Sequence, residues 1–253
     1  MSGAIVVREE ARALAEPRPP RRWSPSRVAG AAVLGAWAFL FWFLLISGRD
    51  ALYLSTRTDW VVPVAAVLLT ASTIGRLASS RVSTSEPLRA REAWIMGMMV
   101  VPVVLVLVAP PATLGTFSAG KRSEFAGSGF AASASDIGDG ELTMVDVAAA
   151  QTTPEGERAL SARAGEVVTI VGFVVRRDDT PADEILLTRY VVSCCAADAA
   201  VASVRVVNVT PGEFEPDDWI EVTGPIYPLG REVIVDAQQV VGVDRPDRPY
   251  LTP

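Results

Sequence analysis

The chain has 253 residues, half of them hydrophobic, with a net charge of -6 that hides an asymmetry. Residues 1–122 carry 14 Lys/Arg against 7 Asp/Glu, whereas residues 123–253 carry 9 against 22, so a basic, apolar half is joined to an acidic one. There is no histidine, which excludes Ser-His-Asp and Cys-His catalysis and every histidine-ligated metal site; the acidic half repels phosphate backbones and makes nucleic acid an unfavourable partner.

Residues 1–27 are polar, rich in Pro and Arg, and read as a cytoplasmic tail. Val28 to Gly48 then holds no charge and is long enough to cross a hydrocarbon core of about 30 Å as a helix. A second uncharged run, Trp60 to Gly75, is short for a span unless its helix continues through Arg76, whose long side chain can reach back to the interface. The third, Ala93 to Val108, ends before Pro110-Pro111, which cannot continue a helix. Residues 28–110 are thus expected to form three transmembrane helices, with Trp60 and Trp94 near the interfaces.

The flanking charge orients them. Six Arg in the tail and four between the second and third spans fall on one side; two in the Arg49–Asp59 loop and two after the third span fall on the other. The side richer in Lys and Arg is expected to be cytoplasmic. A multi-pass protein of the cell membrane follows, with its C-terminal domain extracytoplasmic.

Residues 111–140, rich in Ser, Ala and Gly, read as a flexible linker, and Thr143–Ala150 as a short helix. Five β-type runs follow inside the domain expected at 141–253: Glu166–Val175, Glu184–Cys194, Val201–Val209, Trp219–Ile226 and Glu232–Val243. Ile220 and Val222 alternate with Glu221 and Thr223, as a half-buried strand should. The expected fold is a membrane α-helical part followed by a small all-β domain, best matched in size by an antiparallel OB-like barrel. The proline-rich tail from Arg245 to Tyr250 is expected to pack as an extended arm.

The chemistry concentrates at Leu187–Ala200. Cys194 and Cys195 are the chain's only cysteines, and Asp198 follows closely. Neighbouring side chains on a strand point to opposite faces, so both thiols reach one ion only if the backbone turns there. Three readings stay open. The thiols are buried residues at a strand end with Asp198 capping a turn; or Cys194, Cys195 and Asp198 hold zinc or another soft metal ion, completed by Asp178, Asp179, Asp183, another subunit or substrate; or the pair is redox-active. Arg189, on the same run, is expected to snorkel to the barrel mouth and pair with Asp198 or Glu184.

Arg189 with Tyr190, Cys194 with Cys195, and Ala197-Asp198-Ala199, followed by the sequences DDWIEVTGPI and RPDRPYL, together resemble the YcgQ-type family of permease subunits. Tyr190 stands where that pattern has Phe. The resemblance implies a separate multi-span membrane permease as partner and assigns no catalytic residue. The expected function is that of a non-enzymatic accessory subunit whose β-domain docks on the permease or delivers a solute or metal ion to it. The alternatives are a thiol-dependent metal-binding or redox protein acting without a permease, and an envelope-binding module.

Overall fold

The structure, a computed structural model, describes residues 22–82, 87–109, 113–122, 137, 142–150, 153–230 and 232–252. Most of the expected tail and much of the expected linker lie outside them. The chain divides into two compact units, Met1–Phe43 with Pro63–Pro110, and Leu44–Val62 with Pro111–Pro253.

The first unit holds most of three helices long and apolar enough to cross a membrane, α1 (Pro25–Ser47), α2 (Val61–Ala78) and α3 (Ala90–Val108). α2 does run on past Arg76, and α3 begins three residues earlier than its uncharged run, taking in Arg91 and Glu92. Their large apolar side chains, among them Phe39, Leu68, Trp94 and Leu105, point outward, as a lipid-facing surface requires. Polar groups within the spans are satisfied locally. Thr70, Ser72 and Thr73 each donate to the carbonyl one turn earlier, and the indoles of Trp37 and Trp42 donate to Met99 O and Thr70 Oγ1. Pro102 removes one helix hydrogen bond inside α3.

In the second unit, α4 (Thr116–Ala119), α5 (Met144–Ala150) and α6 (Pro154–Ser161) precede the sheet. Thr153 starts α6 by accepting from Gly156 N at 3.1 Å, with Pro154 in the first turn where its missing N–H is harmless. The strands are β1 (Val167–Val175), β2 (Ile185–Val191), β3 (Ala200–Val207), β4 (Trp219–Leu229), β5 (Glu232–Asp236) and β6 (Gln239–Gly242). Their order is β1-β2-β3-β5-β4-β6, and β1 also pairs with β4, which closes a five-strand barrel from β1, β2, β3, β5 and β4.

The closure differs from the antiparallel barrel expected in one seam: β3 and β5 run parallel, Val206 opposite Val235. Five strands on a ring cannot alternate direction all the way round, so an odd barrel must contain a parallel pair. The topology is that of a mixed, OB-like barrel. β4 serves two partners on one edge, pairing with β6 through Ile220–Thr223 and with β5 through Ile226–Leu229. The expected fifth strand is broken at Ala237-Gln238 where this exchange occurs.

Leu187, Val204, Val206, Ile220, Val222, Ile226 and Val235 fill the barrel and continue into Val147, Ala150 and Leu160 of α5 and α6. A second cluster, Phe173, Val175, Tyr190, Val192 and Val201 with Trp219 and Tyr250 against it, lies at the end of β2. The phenol of Tyr190 donates to Gly115 O at 2.8 Å, and that of Tyr250 accepts from Leu114 N at 3.2 Å. Thr116 adds two bonds to Asp217 Oδ1. The first part of the expected linker, Leu114–Arg122, is therefore docked on the barrel. Burial pushes the Tyr190 phenol up to about 12, so it stays a donor at any ordinary pH. Tyr190→Phe should cost about 1 kcal/mol, read as a fall of several degrees in melting temperature and as earlier protease cleavage within residues 113–122; an unchanged melt and cleavage pattern would contradict this contact.

Candidate functional site

β2 carries the chain to the thiols and then stops. Its last residue, Val191, bridges Leu251 in parallel, and Val192 N and Leu251 N donate to Leu251 O and Tyr190 O at 2.8 Å each. The proline-rich tail is thus an extended arm, as its composition implies. Arg189 holds the arm through its backbone, donating to Arg248 O at 3.1 Å and to Pro249 O at 3.2–3.3 Å, with its guanidinium 5.4 Å from the Trp219 ring centre. Burial lowers its pKa. The carboxylates expected beside it are engaged elsewhere: Glu184 pairs with Arg205 at 2.7 Å, and Asp198 closes the thiol turn. A guanidinium at this depth finds carbonyls rather than charge because the arm covers it.

Between β2 and β3 the backbone turns through Ser193-Cys194-Cys195 and a single 3-10 turn, Ala196–Asp198. The Asp198 carboxylate turns back to accept from Ser193 N at 3.1 Å and Cys194 N at 2.8 Å. This is the local turn chemistry short acidic side chains provide. Burial alone would raise Asp198, but hydrogen bonds from the Cys194 thiol and from the backbone N–H groups of Cys194, Ser193 and Cys195 outweigh it and hold the carboxyl below its usual range.

The turn brings the neighbouring thiols to one side, their Sγ atoms 3.7 Å apart. Both are free; Cys194 is exposed and Cys195 half-buried. Hydrogen bonding to Asp198, then to Cys195, pushes the Cys194 thiol up to about 11, so it is protonated at neutral pH.

A wall of the site comes from residues whose role the sequence reading missed. Ser55 N and Thr58 Oγ1 donate to Cys194 O at 3.2 and 2.6 Å, Ser55 Oγ donates to Ser193 O at 2.7 Å, and Ala196 N donates to Tyr53 O at 2.8 Å. These belong to the loop between α1 and α2, which opens with the short helical turn Arg49–Leu52. Arg122 Nη1 donates to Ala197 O and Ala199 O at 3.3 and 3.1 Å. The arm also meets the loop, through Arg248 to Asp59 at 3.1 Å and Thr56 to Thr252 at 3.1 Å. The available signal was the count of spans, since two candidate spans between this loop and the barrel return the chain to the same side.

Residues 138–253 match the DUF1980 C-terminal domain. The matched region holds the whole barrel, the thiol turn and the arm, while the spans and the inter-span loop lie outside it. Compared with curated proteins, the chain finds no significant match.

Asp178, Asp179 and Asp183 do not join the thiols. They precede β2, whose seven residues, at roughly 3.3 Å each, separate them from the turn that follows it. Among the described residues no group of three or more His, Cys, Asp or Glu side chains is arranged to hold a metal ion. A broad cleft of about 860 Å³ over β2, β3 and the β4–β5 hairpin is lined by Arg177, Asp179, Glu184, Arg205 and Glu232. Its central cation, Arg205, is spent on Glu184 and Glu232 at 2.7 and 2.6 Å.

Proposed function

We infer that the protein is an accessory subunit of a membrane permease, its N-terminus cytoplasmic and its barrel extracytoplasmic, where the barrel docks on a multi-span permease partner or delivers a solute or metal ion to it. The observation that carries this reading is the separation of chemistry from the spans. The runs Val28–Gly48, Trp60–Gly75 and Ala93–Val108 hold no charge, and the hydroxyls of α2 there are spent on their own helix. A solute path through a membrane needs polar or ionisable groups facing it, and the partner has to supply them. The free thiol pair sits instead in the unit containing the barrel. The resemblance to YcgQ-type permease subunits points the same way.

The orientation rests on two supports. The inter-span loop and the barrel belong to one compact unit, as they can when the chain has crossed once before the loop and three times before the barrel. Charge then favours the cytoplasm for the opposite side. Because the chain's only thiols are in the barrel domain, a membrane-impermeant maleimide added to intact cells is expected to label them, and labelling only after the membrane is opened would overturn the orientation.

The full chain reconstituted alone in liposomes should transport neither metal ions nor small polar solutes, and photo-crosslinkers placed along α1–α3 should trap a multi-span membrane protein. Transport by the chain alone would sink the permease-subunit reading. One observation favours a second reading, a thiol-dependent metal-binding or redox protein acting without a permease: the two sulfurs are free and adjacent. A Cys194→Ser/Cys195→Ser variant that keeps full function in cells removes that reading and leaves docking in place.

A further inference from the structure

We propose that Cys194 and Cys195 are a ready-made two-sulfur edge for a thiophilic divalent cation of tetrahedral preference, with the remaining coordination positions open for transfer. The proposal names the cargo class of the permease-subunit reading and rests on that reading for the ion's destination alone.

Geometry carries it. Two sulfurs bonded at about 2.3 Å to one tetrahedral ion stand about 3.8 Å apart. The two Sγ atoms are 3.7 Å apart already. A pair of consecutive residues on a regular strand would not achieve this, since their side chains diverge to opposite faces. Here the strand has ended at Val191, and the turn is fixed from three directions: by the Asp198 carboxylate, by Tyr53, Ser55 and Thr58 of the inter-span loop, and by Arg122. Chelation needs no new backbone conformation. A disulfide would need the sulfurs to close to about 2.05 Å between residues whose Cα atoms lie only about 3.8 Å apart, below the span disulfides prefer.

Asp198 is a positioning residue in this scheme. Its oxygens accept the N–H groups of Ser193 and Cys194, and the turn that aligns the sulfurs depends on those bonds. Structural zinc sites close all four positions with protein ligands, whereas sites that exchange or activate a ligand keep a position open. Among the described residues no third His, Cys, Asp or Glu completes a set around the pair. An ion held by two thiolates therefore keeps positions for water, and for donors of the protein that receives it. The balance is simple: the ion forms two metal–sulfur bonds, both thiol protons pass to solvent, and no electrons move.

The test uses the full chain in detergent, reduced and stripped with chelator, titrated with Zn²⁺ against a chromophoric competitor. One ion per chain is expected, with affinity reduced at least tenfold in Cys194→Ser and in Cys195→Ser, and stoichiometric binding lost in the double variant. Co²⁺ in place of Zn²⁺ should give near-ultraviolet sulfur-to-metal charge-transfer absorption scaling with two thiolates in the native chain and one in each single variant. Asp198→Asn should keep the two-thiolate spectrum, which separates positioning from ligation. Cys194 is exposed and Cys195 half-buried, so Ser at either position should leave the melting temperature within a few degrees; that melt confirms that lost binding is not lost folding. Zn²⁺ binding equal in the native chain and the double variant, or absent from both, overturns the site. The measurement needs no partner, so a bound ion with no permease defeats only the accessory-subunit reading, and a permease with no bound ion defeats only the metal site.

Discussion

Gly224→Ala is expected to lower the melting temperature of the barrel by about 10 °C or more, the largest effect of any single methyl group in the domain. A Cβ at Gly224 would collide with Asp236 O and lie 2.9 Å from Asp236 C. Both are backbone atoms, so no side chain can rotate away. The residue sits where β4 passes from β6 to β5, between Thr223, paired with Gln239, and Ile226, paired with Val235. Forcing the two strands apart there opens the β4–β5 seam of the barrel, at a cost of about 2–3 kcal/mol or more, which in a domain of roughly 100 residues is about 10 °C. Gly120 is the control. It has ordinary right-handed backbone angles and no atom within 4 Å of a built Cβ, so Gly120→Ala should be neutral or slightly stabilising. Near-ultraviolet circular dichroism melts of both variants decide the matter; equal melting temperatures would mean that the β4 corner is not closed.

The second large effect is chemical. Asp198→Asn should speed alkylation of Cys194 by iodoacetamide at pH 8 by roughly tenfold. The native thiol sits at about 11, with the Asp198 carboxylate the first cause. Returning it towards an ordinary thiol value would raise the thiolate fraction up to about 100-fold, and the lower nucleophilicity of a less basic thiolate takes back about a factor of ten. In the native chain the rate should climb with pH until about 11. The signs of the two linked titrations are opposite. Cys194 is raised, so its protonated form favours the folded turn, and this contribution is present below its ordinary value near 9 and lost as pH rises through about 11. Asp198 is depressed, so its contribution is present above the ordinary carboxylate value of about 4 and lost as pH falls below it. An alkylation rate indifferent to Asp198→Asn would place the carboxylate away from the thiol.

Much of the fold was legible because its signals are local. An uncharged run of membrane length is visible in a window of twenty residues, and alternation such as Ile220-Glu221-Val222-Thr223 fixes a strand and its start at Trp219, although β4 runs three residues past the expected Ile226. The turn at Asp198 was legible too, since a short acidic side chain reaches only its own neighbourhood. The rest of the site was not. Ser55 Oγ meets Ser193 O across 138 positions and Thr58 meets Cys194 across 136, and no periodicity encodes a hydrogen bond to a carbonyl, which every residue owns. Arg189 misled for the same reason. A lone cation suggests a carboxylate partner, but the arm offers two carbonyls, and these suffice once the arm has folded over it.

The C-terminal arm has a consequence for biosynthesis. Leu251 completes the edge of β2, and Thr252 and Arg248 reach the inter-span loop, so the site is assembled from three segments made at different times. While Leu251 and Thr252 are still on the ribosome, the thiol turn has its own carboxylate but not its full frame. Until the arm is laid down, Cys194 and Cys195 are therefore held by fewer contacts than in the finished fold.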